Sequence, residues 1–446
     1  MAGSVTRLPR DPGPAGWNAL LPEDGPPEQL NGALRADWLV IGAGFAGLAA
    51  AYRLAQLCAT DRIVVLEARR VGEGPAGRNS GFMIDLPHDL ASDNYGGALA
   101  ADLAQTADNR RGIALAAEMA QAFGLSEEAF AQCGKINGAA SPRGDAHNTD
   151  FAKHLTAMGE PFETLDAAAM QELTGTDCYS SGLFTPGAAM IQPALFVRSV
   201  ALGLVSNRVR LFENSPVTEL SRASGDWQAT TPGGKVTAPQ VILAVNGHLE
   251  SFGHMRGRLM HVFTYASMTR ALTSDECARL GGSPVWALTP ADPLGTTVRR
   301  ISGTGGDRIV VRNRFTFDPD MEVPDTRIAG VARDHDRAFA ARFPMLGDVR
   351  MEYRWGGRLC LSRNGVQVVG ELEPGLWSAC CQNGLGTAKG TLAGMLAAEA
   401  ANGVGSDALD RMQQAPVPKK LPPGLIARAG ATTRLRWGEW RAGAEL

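Results

Sequence analysis

Short, wholly apolar runs and longer stretches of helical spacing alternate along the first half of the chain. Trp38-Leu39-Val40-Ile41 has the form of a strand buried on both faces. A glycine-rich turn follows, then a helix over about residues 46–57, then a second apolar run at Ile63-Val64-Val65-Leu66. Strand, helix and strand in that order predict one parallel βαβ unit. Helical spacing returns over 95–124, where Leu99, Leu103, Ile113, Leu115, Met119 and Phe123 recur until Gly124 stops them. A shorter helix is expected to begin after Thr149 or Asp150 and another near Asp166, while 193–204 reads as a helix with Pro193 in its first turn.

The pattern then changes. Short runs at 209–211, 217–220, 227–230 and 235–237, split by turn residues, predict a β-meander leading into a buried strand at 241–245. Residues 258–317 are again β-rich, and 327–343 is helical. The last structured part is predicted as a strand near 350–355, strands at 366–370 and 376–380, and a long helix over 386–401. Residues 1–36, rich in Pro, Gly and Asp without periodicity, read as an extended arm on the surface, and the Pro-rich basic stretch from Ala415 reads as a packed tail.

Composition narrows the function classes. With 446 residues, 44% hydrophobic and 20% charged, the chain can bury sizeable cores in two or three folding units. A formal net charge of −3 supplies no long-range field for nucleic acid or an acidic membrane. The seven cysteines, at 58, 133, 178, 277, 360, 380 and 381, are odd in number and show no CxxC pair or zinc-ligand spacing. They read as reduced thiols, with no metal site. The N-terminus lacks a signal peptide's apolar stretch, and the most apolar window, 38–57, is broken by Arg53 and three glycines. A cytoplasmic protein without a membrane span is therefore expected.

The chemistry starts at Gly42-Ala43-Gly44-Phe45-Ala46-Gly47, a G-x-G-x-x-G between strand and helix. The first glycine permits the tight turn, the second lets a pyrophosphate approach the backbone, and the third lets helix and strand pack closely. The phosphates would then face unpaired N–H groups at the helix start. Glu67 ends the second strand twenty residues after Gly47, where a carboxylate accepts from ribose hydroxyls and repels a 2′-phosphate, favouring FAD or NAD over NADP. A ligand-free glycine turn is the plain alternative. The following loop, Ala68-Arg69-Arg70-Val71-Gly72 through Gly74, Gly77, Arg78, Asn79, Ser80 and Gly81, suits a backbone passing beside a planar ring, so FAD is preferred; a glycine-rich surface loop is the plain reading of the same residues.

These residues resemble the D-amino-acid oxidase (DAO) superfamily, in the branch holding gamma-glutamylputrescine oxidoreductase and the sarcosine and glycine oxidases. The family pattern E-A-x-R-I/V-G-x-G-A-S-G-R-N-G-G is matched at Glu67, Ala68, Arg70, Gly72, Gly74, Gly77, Arg78, Asn79 and Gly81, and departed from at Pro75, Ala76 and Ser80. Further segments resemble the family in the same order: the lead-in ending at Leu30, Phe184 to Gly187 with Gln192 and Pro193, the strand around Val217, the turn Ala244-Val245-Asn246-Gly247, and Trp355-Gly356-Gly357. Gly384-Leu385-Gly386-Thr387 resembles the G-H-G element under the flavin ring. The likeness spans about 25–410.

The resemblance implies an α/β fold in which a Rossmann-like FAD-binding domain is interleaved with a mixed-sheet substrate domain. The expected division is an arm at 1–36; FAD-binding parts at 37–90, 193–254 and 349–414; substrate-domain parts at 91–192 and 255–348; and a tail at 415–446. It also implies oxidation of a C–N bond in an amine or amino-acid-like substrate, by hydride transfer to flavin N5 followed by hydrolysis of the imine, with oxygen or a quinone taking the electrons. Other readings stay open: a hydroxy-acid or polyol dehydrogenase on the same fold, or a flavin-binding accessory subunit, which Leu359, Leu385 and Gln367 keep in view.

Four residues are candidate site walls. His88 is placed to contact the flavin or set amine protonation, or else is a loop histidine bonded to Asp85 or Asp89. Tyr265 is a candidate for an aromatic cage around the amine, or a core-edge tyrosine. Trp355 either meets the flavin or packs in the core. Amino-acid oxidases of the family carry a carboxylate-clamping Arg four residues after this Trp; here Leu359 stands there and Arg358 lies one residue earlier, facing the other side of a strand. Cys360 lies near the position of the linking cysteine in sarcosine oxidases, but at a different offset from Gly365, so non-covalent FAD is expected.

Overall fold

Trp38–Ile41 and Ile63–Leu66 are buried at all four positions, and the only place for such a run is the middle of a sheet covered on both faces. The computed structural model, which describes residues 3–23, 25–88, 92 and 95–446, places them there. Six strands run in the spatial order Val209–Phe212, Ile63–Leu66, Trp38–Ile41, Gln240–Leu243, Leu376–Cys380, Val368–Glu373. The first five are parallel and the last is antiparallel. Helix Phe45–Leu57 makes the crossover from Trp38–Ile41 to Ile63–Leu66 and buries Leu48, the alanines beside it and Leu54 against the sheet. Each large side chain buried in this way contributes roughly 1.5–3 kcal/mol. Helix Ala388–Ala401 lies against the same helix so closely that a Cβ on Gly394 would stand 1.9 Å from the Ala46 carbonyl oxygen.

A five-stranded sheet covers the other side, in the order Gly3–Ser4, Glu219–Ala223, Asp226–Thr231, Gly234–Ala238, Gly32–Arg35. Most of the predicted meander is here, but 209–211 is part of the parallel sheet instead, because its alternate positions are buried beside Ile63–Leu66.

The roof over the cofactor domain is an eight-stranded mixed sheet in the order Met351–Ser362, Leu259–Thr269, Arg308–Phe317, Thr297–Ile301, Trp286–Pro290, Lys135–Ala139, Ser181–Thr185, Glu163–Asp166. Met351–Ser362 was expected in the cofactor domain, which the reading of the sequence started at 349. It instead pairs along its length with Leu259–Thr269, Trp355 opposite Ala266 and Leu359 opposite Val262. Both sheets need an apolar strand, and composition does not say which partner a strand takes.

Three other expectations are corrected. The helix expected after Thr149 starts earlier, as Pro142–Met158, because the Ser141 hydroxyl caps Gly144 N and Pro142 fills the first turn. The first 36 residues are built in: they supply two short strands and bury Trp17 completely. The basic tail packs as expected but as a helix, Gly424–Ala442, on Arg308–Phe317, and a short helix, Asp407–Gln414, precedes it. No helix among the described residues is long and apolar enough to cross a membrane.

Candidate active site

A cavity of about 880 Å³ runs between the parallel sheet and its eight-stranded roof. It begins at the turn after Trp38–Ile41. Gly42 has φ +103°, and a Cβ there would meet the Ala244 carbonyl oxygen at 2.6 Å. A Cβ on Gly47 would lie 1.7 Å from Gly42 O, so this glycine serves packing and is absent from the cavity wall, as is Gly77, whose Cβ would strike Gly72 O at 1.9 Å. Gly44, Phe45 and Ala46 line the cavity, and no side chain caps the helix start at Gly44. The first-turn N–H groups are thus left for an anion.

Glu67 stands beside this turn. Its Oε2 accepts from Ala43 N at 2.8 Å and its Oε1 from Arg69 N at 3.1 Å. Burial pushes its carboxyl above the usual range, and the Ala43 and Arg69 N–H groups oppose that shift. Ala68, Arg69, Val217, Ala244 and Asn246 line the same end. Asn246, with φ 48°, uses Oδ1 to accept from Cys381 N and Gln382 N, which ties two strand ends together. Val5, Arg7, Leu8 and Pro9 of the arm also line the wall. The sequence held no signal for them, since two-residue edge strands have no period to read.

The loop through Arg78, Asn79 and Ser80 forms the next stretch of wall. The Arg78 guanidinium is taken up by backbone carbonyls. It donates to the carbonyls of Glu73, Pro12, Gly13 and Gly356, and so fastens the loop to the arm and the roof. Asn79 bonds Ala76 O and Gly81 N and shapes its own loop. At the opposite wall, Gly384, Leu385, Gly386 and Thr387 open helix Ala388–Ala401, with no side-chain cap and open space at the Cβ position of Gly386. The Thr387 hydroxyl donates to Phe82 O at 2.6 Å. Leu385 packs with Phe82, Ile84 and Met190, making this wall apolar.

The four candidate side chains separate. Trp355 is 1% exposed, lies edge-on to Trp17 and donates from Nε1 to Arg78 O at 3.0 Å; it supports the loop from behind and does not line the cavity. Tyr265 lines the cavity, between Thr264 and Ala266. Its ring packs with Phe263, Val323 and Val331, and its hydroxyl sits 2.6 Å from Thr316 Oγ1. A β-bulge at Thr264/Tyr265 shifts the register there, and Thr264 lines the cavity. Arg358 also lines the cavity; it donates to Met321 O at 3.1 Å, and burial lowers its pKa while Asp11 opposes that shift. Leu359, its neighbour, packs with Val262, Phe315 and Phe317. Cys360 is buried with Leu259 and Cys380.

His88 is at the cavity. Its ring stacks on Tyr95 at 4.2 Å, its Nδ1 has no hydrogen-bond partner among the described residues, and Asp85 is paired with Arg110 instead. Asp89 lies outside the described residues. Burial holds the His88 pKa well below the usual imidazole range, helped by the charges of Lys135, Arg312 and Lys389.

Two arginines escaped the reading of the sequence. Arg299 donates to Ser80 O at 2.8 Å and Ile191 O at 2.9 Å and covers the rings of Trp17 and Phe82. Arg312, opposite Thr297 and Ala266, lines the cavity. The signal was an arginine inside the apolar run Ile309-Val310-Val311, but which face it takes depends on pairing.

Bare glycines at both ends, two uncapped helix starts and a buried carboxylate between them fit FAD. The phosphates would meet the Gly44–Ala46 N–H groups, a ribose would meet Glu67, and the ring would lie between the 78–80 loop and Gly384–Thr387. The chain is similar to the probable oxidoreductase OrdL of Haemophilus influenzae, with 26% identity across 82% of each chain. It is also similar to the gamma-glutamylputrescine oxidoreductase of Escherichia coli, with 26% identity over 85% of this chain and 86% of that one. The crystal structure of glycine oxidase from Geobacillus kaustophilus has the same fold, with a TM-score of 0.68 and 18% identity over 84% of this chain and 96% of the other. Residues 37–400 match the DAO family, described as FAD dependent oxidoreductase. With that match over most of its length, and a cavity shaped for the cofactor, the chain belongs to the DAO family of FAD-dependent oxidoreductases.

Proposed function

We propose that this oxidoreductase acts on a C–N bond, taking a hydride equivalent, two electrons and a proton, from the carbon beside an amine, with the nitrogen losing a further proton, and releasing an imine to hydrolysis. FAD, when bound, supplies the hydride acceptor. The chain's own residues orient the amine, exclude water and set its protonation. Leu359, Leu361, Leu385, Phe315, Phe317 and Leu435 make the chamber apolar.

The observation that carries the reading is the charge around His88. Lys135, Arg312 and Lys389 all act to keep its imidazole neutral, on top of burial. The same charges act on any ammonium brought into that chamber and lower its pKa, so the amine is held in the neutral form from which a hydride can leave. They also make His88 a poor base. An alcohol needs a strong proton acceptor to be oxidised in this way, and a neutral amine does not. The glycine oxidase and gamma-glutamylputrescine oxidoreductase names among similar proteins point the same way.

The test is anaerobic mixing of the FAD-loaded protein with matched amines and hydroxy acids. Flavin bleaching by amines is expected. Bleaching by hydroxy acids alone would mean a C–O dehydrogenase, and no bleaching by either would favour an accessory flavoprotein. Reoxidation by air or by added quinone then tells which acceptor takes the electrons.

A further inference from the structure

We propose that Arg312 anchors an anionic group of the substrate, a carboxylate in the first place, so that the amine oxidised here is one that carries such a group. The identification of the substrate as an amine rests on the reading above; the anchor itself does not.

Arg312 comes from the middle of strand Arg308–Phe317, opposite Thr297 on one side and Ala266 on the other. Thr297 and Ala266 line the cavity with it. Among the described residues its guanidinium has no hydrogen bond and no ion pair; its one close contact is the face of Phe315, 4.7 Å from the ring centre. Three described carboxylates of that neighbourhood pair with other partners. Asp85 pairs with Arg110 at 2.9 Å, Asp102 with His154 at 2.8 Å and Asp292 with Arg143 at 2.9 Å. Lys135, close enough for its charge to act on the same histidine, hydrogen-bonds among the described residues only the neutral Asn137 and Thr289, with Asp85 acting on it through its charge. A buried guanidinium without an ion pair among the described residues is costly to keep, and the cost is recovered when a ligand brings the anion.

The fork of a guanidinium matches both oxygens of a carboxylate, and a phenyl face behind it holds the fork flat. Position 359, on the cavity face of Met351–Ser362, is leucine and offers no such group. Leu359 faces Val262 across one strand, whereas Arg312 faces Ala266, four residues further along that strand and on its other side. The anion is therefore held on the His88 and Tyr95 side of the chamber.

The test compares an amino acid that reduces the flavin with its carboxamide, in wild type, Arg312→Gln and Arg312→Lys, and titrates each protein with benzoate while following the flavin spectrum. Wild type is expected to favour the acid. In Arg312→Gln the KM for the acid should rise about tenfold or more, the acid-to-amide ratio of kcat/KM should collapse, and the benzoate response should weaken in step. Arg312→Lys should recover part of each. An unchanged ratio in Arg312→Gln overturns the anchor. If that variant loses FAD or fails to fold, the wild-type titration and Arg312→Lys decide: a wild type indifferent to both carboxylate and benzoate sinks the proposal. Should hydroxy acids rather than amines bleach the flavin while Arg312→Gln still abolishes the preference for acids, the anchor stands and the amine reading falls. Should acid and amide bleach it equally well, the reverse holds.

Discussion

Gly44 and Gly47 are three residues apart and answer to different neighbours. A Cβ on Gly47 would collide with Gly42 O at 1.7 Å, whereas one on Gly44 would meet only the Ala76 side chain at 3.4 Å. Gly44→Val is therefore expected to fold, with a melting temperature near that of wild-type apoprotein, and to retain no FAD. Gly47→Ala should lose the fold itself. A Gly44→Val protein that purifies with full flavin absorbance would contradict the phosphate site. Lys135 gives a second residue-scale test. Burial lowers its pKa from the usual lysine value to about 8, with Asp85 opposing. The unfolded chain holds that proton more tightly, so below about 8 the charged lysine weighs against folding, and stability should rise as pH climbs from there towards the ordinary lysine range. Lys135→Met is expected to resist urea better than wild type at neutral pH, with the gap narrowing above pH 8. A gap independent of pH would mean the amine is neutral, or solvated, throughout.

At the scale of elements, one strand decides the character of the chamber. Met351–Ser362 directs Trp355 at the 78–80 loop and Leu359 into the cavity, and its next residue back, Arg358, at Met321. Arg358→Ala should lower the melting temperature, because it strips a charge from beside Asp11, yet leave kcat/KM within a few-fold; a collapse of substrate affinity would make Arg358 a substrate contact. Strand parity predicts that only one of Leu359 and Arg358 reaches the site, yet both line the cavity. The βαβ unit was legible in the sequence, because its strands are apolar throughout and its glycines are two and three residues apart. Trp17, Arg299 and Arg312 were not. Trp17 meets Asn79 across 62 positions and Arg299 meets Ser80 across 219, so their roles exist only once the sheets have paired. Thr264 was missed for the same reason: with a bulge between Thr264 and Tyr265, both line the cavity where simple alternation predicts only one.

On the scale of the whole molecule, the two chain ends close the structure around the cavity. The arm lays Val5 to Pro9 along one wall, and Pro12 and Gly13 receive the Arg78 guanidinium. At the other end, Glu439 accepts from Arg314 and Phe315 N, while Glu445 accepts from Ala140 N and the Ser141 hydroxyl, pinning helix Gly424–Ala442 over the roof with Leu435 in the chamber wall. Val5, Arg7 to Pro9 and Leu435 thus border a volume that a dinucleotide and a small substrate would fill. The most direct measurement is therefore the cofactor itself: purify the chain, denature it, and quantify the FAD released. One FAD per chain, freed without proteolysis, is the expected result. A colourless chain that takes up no FAD when it is supplied would contradict it.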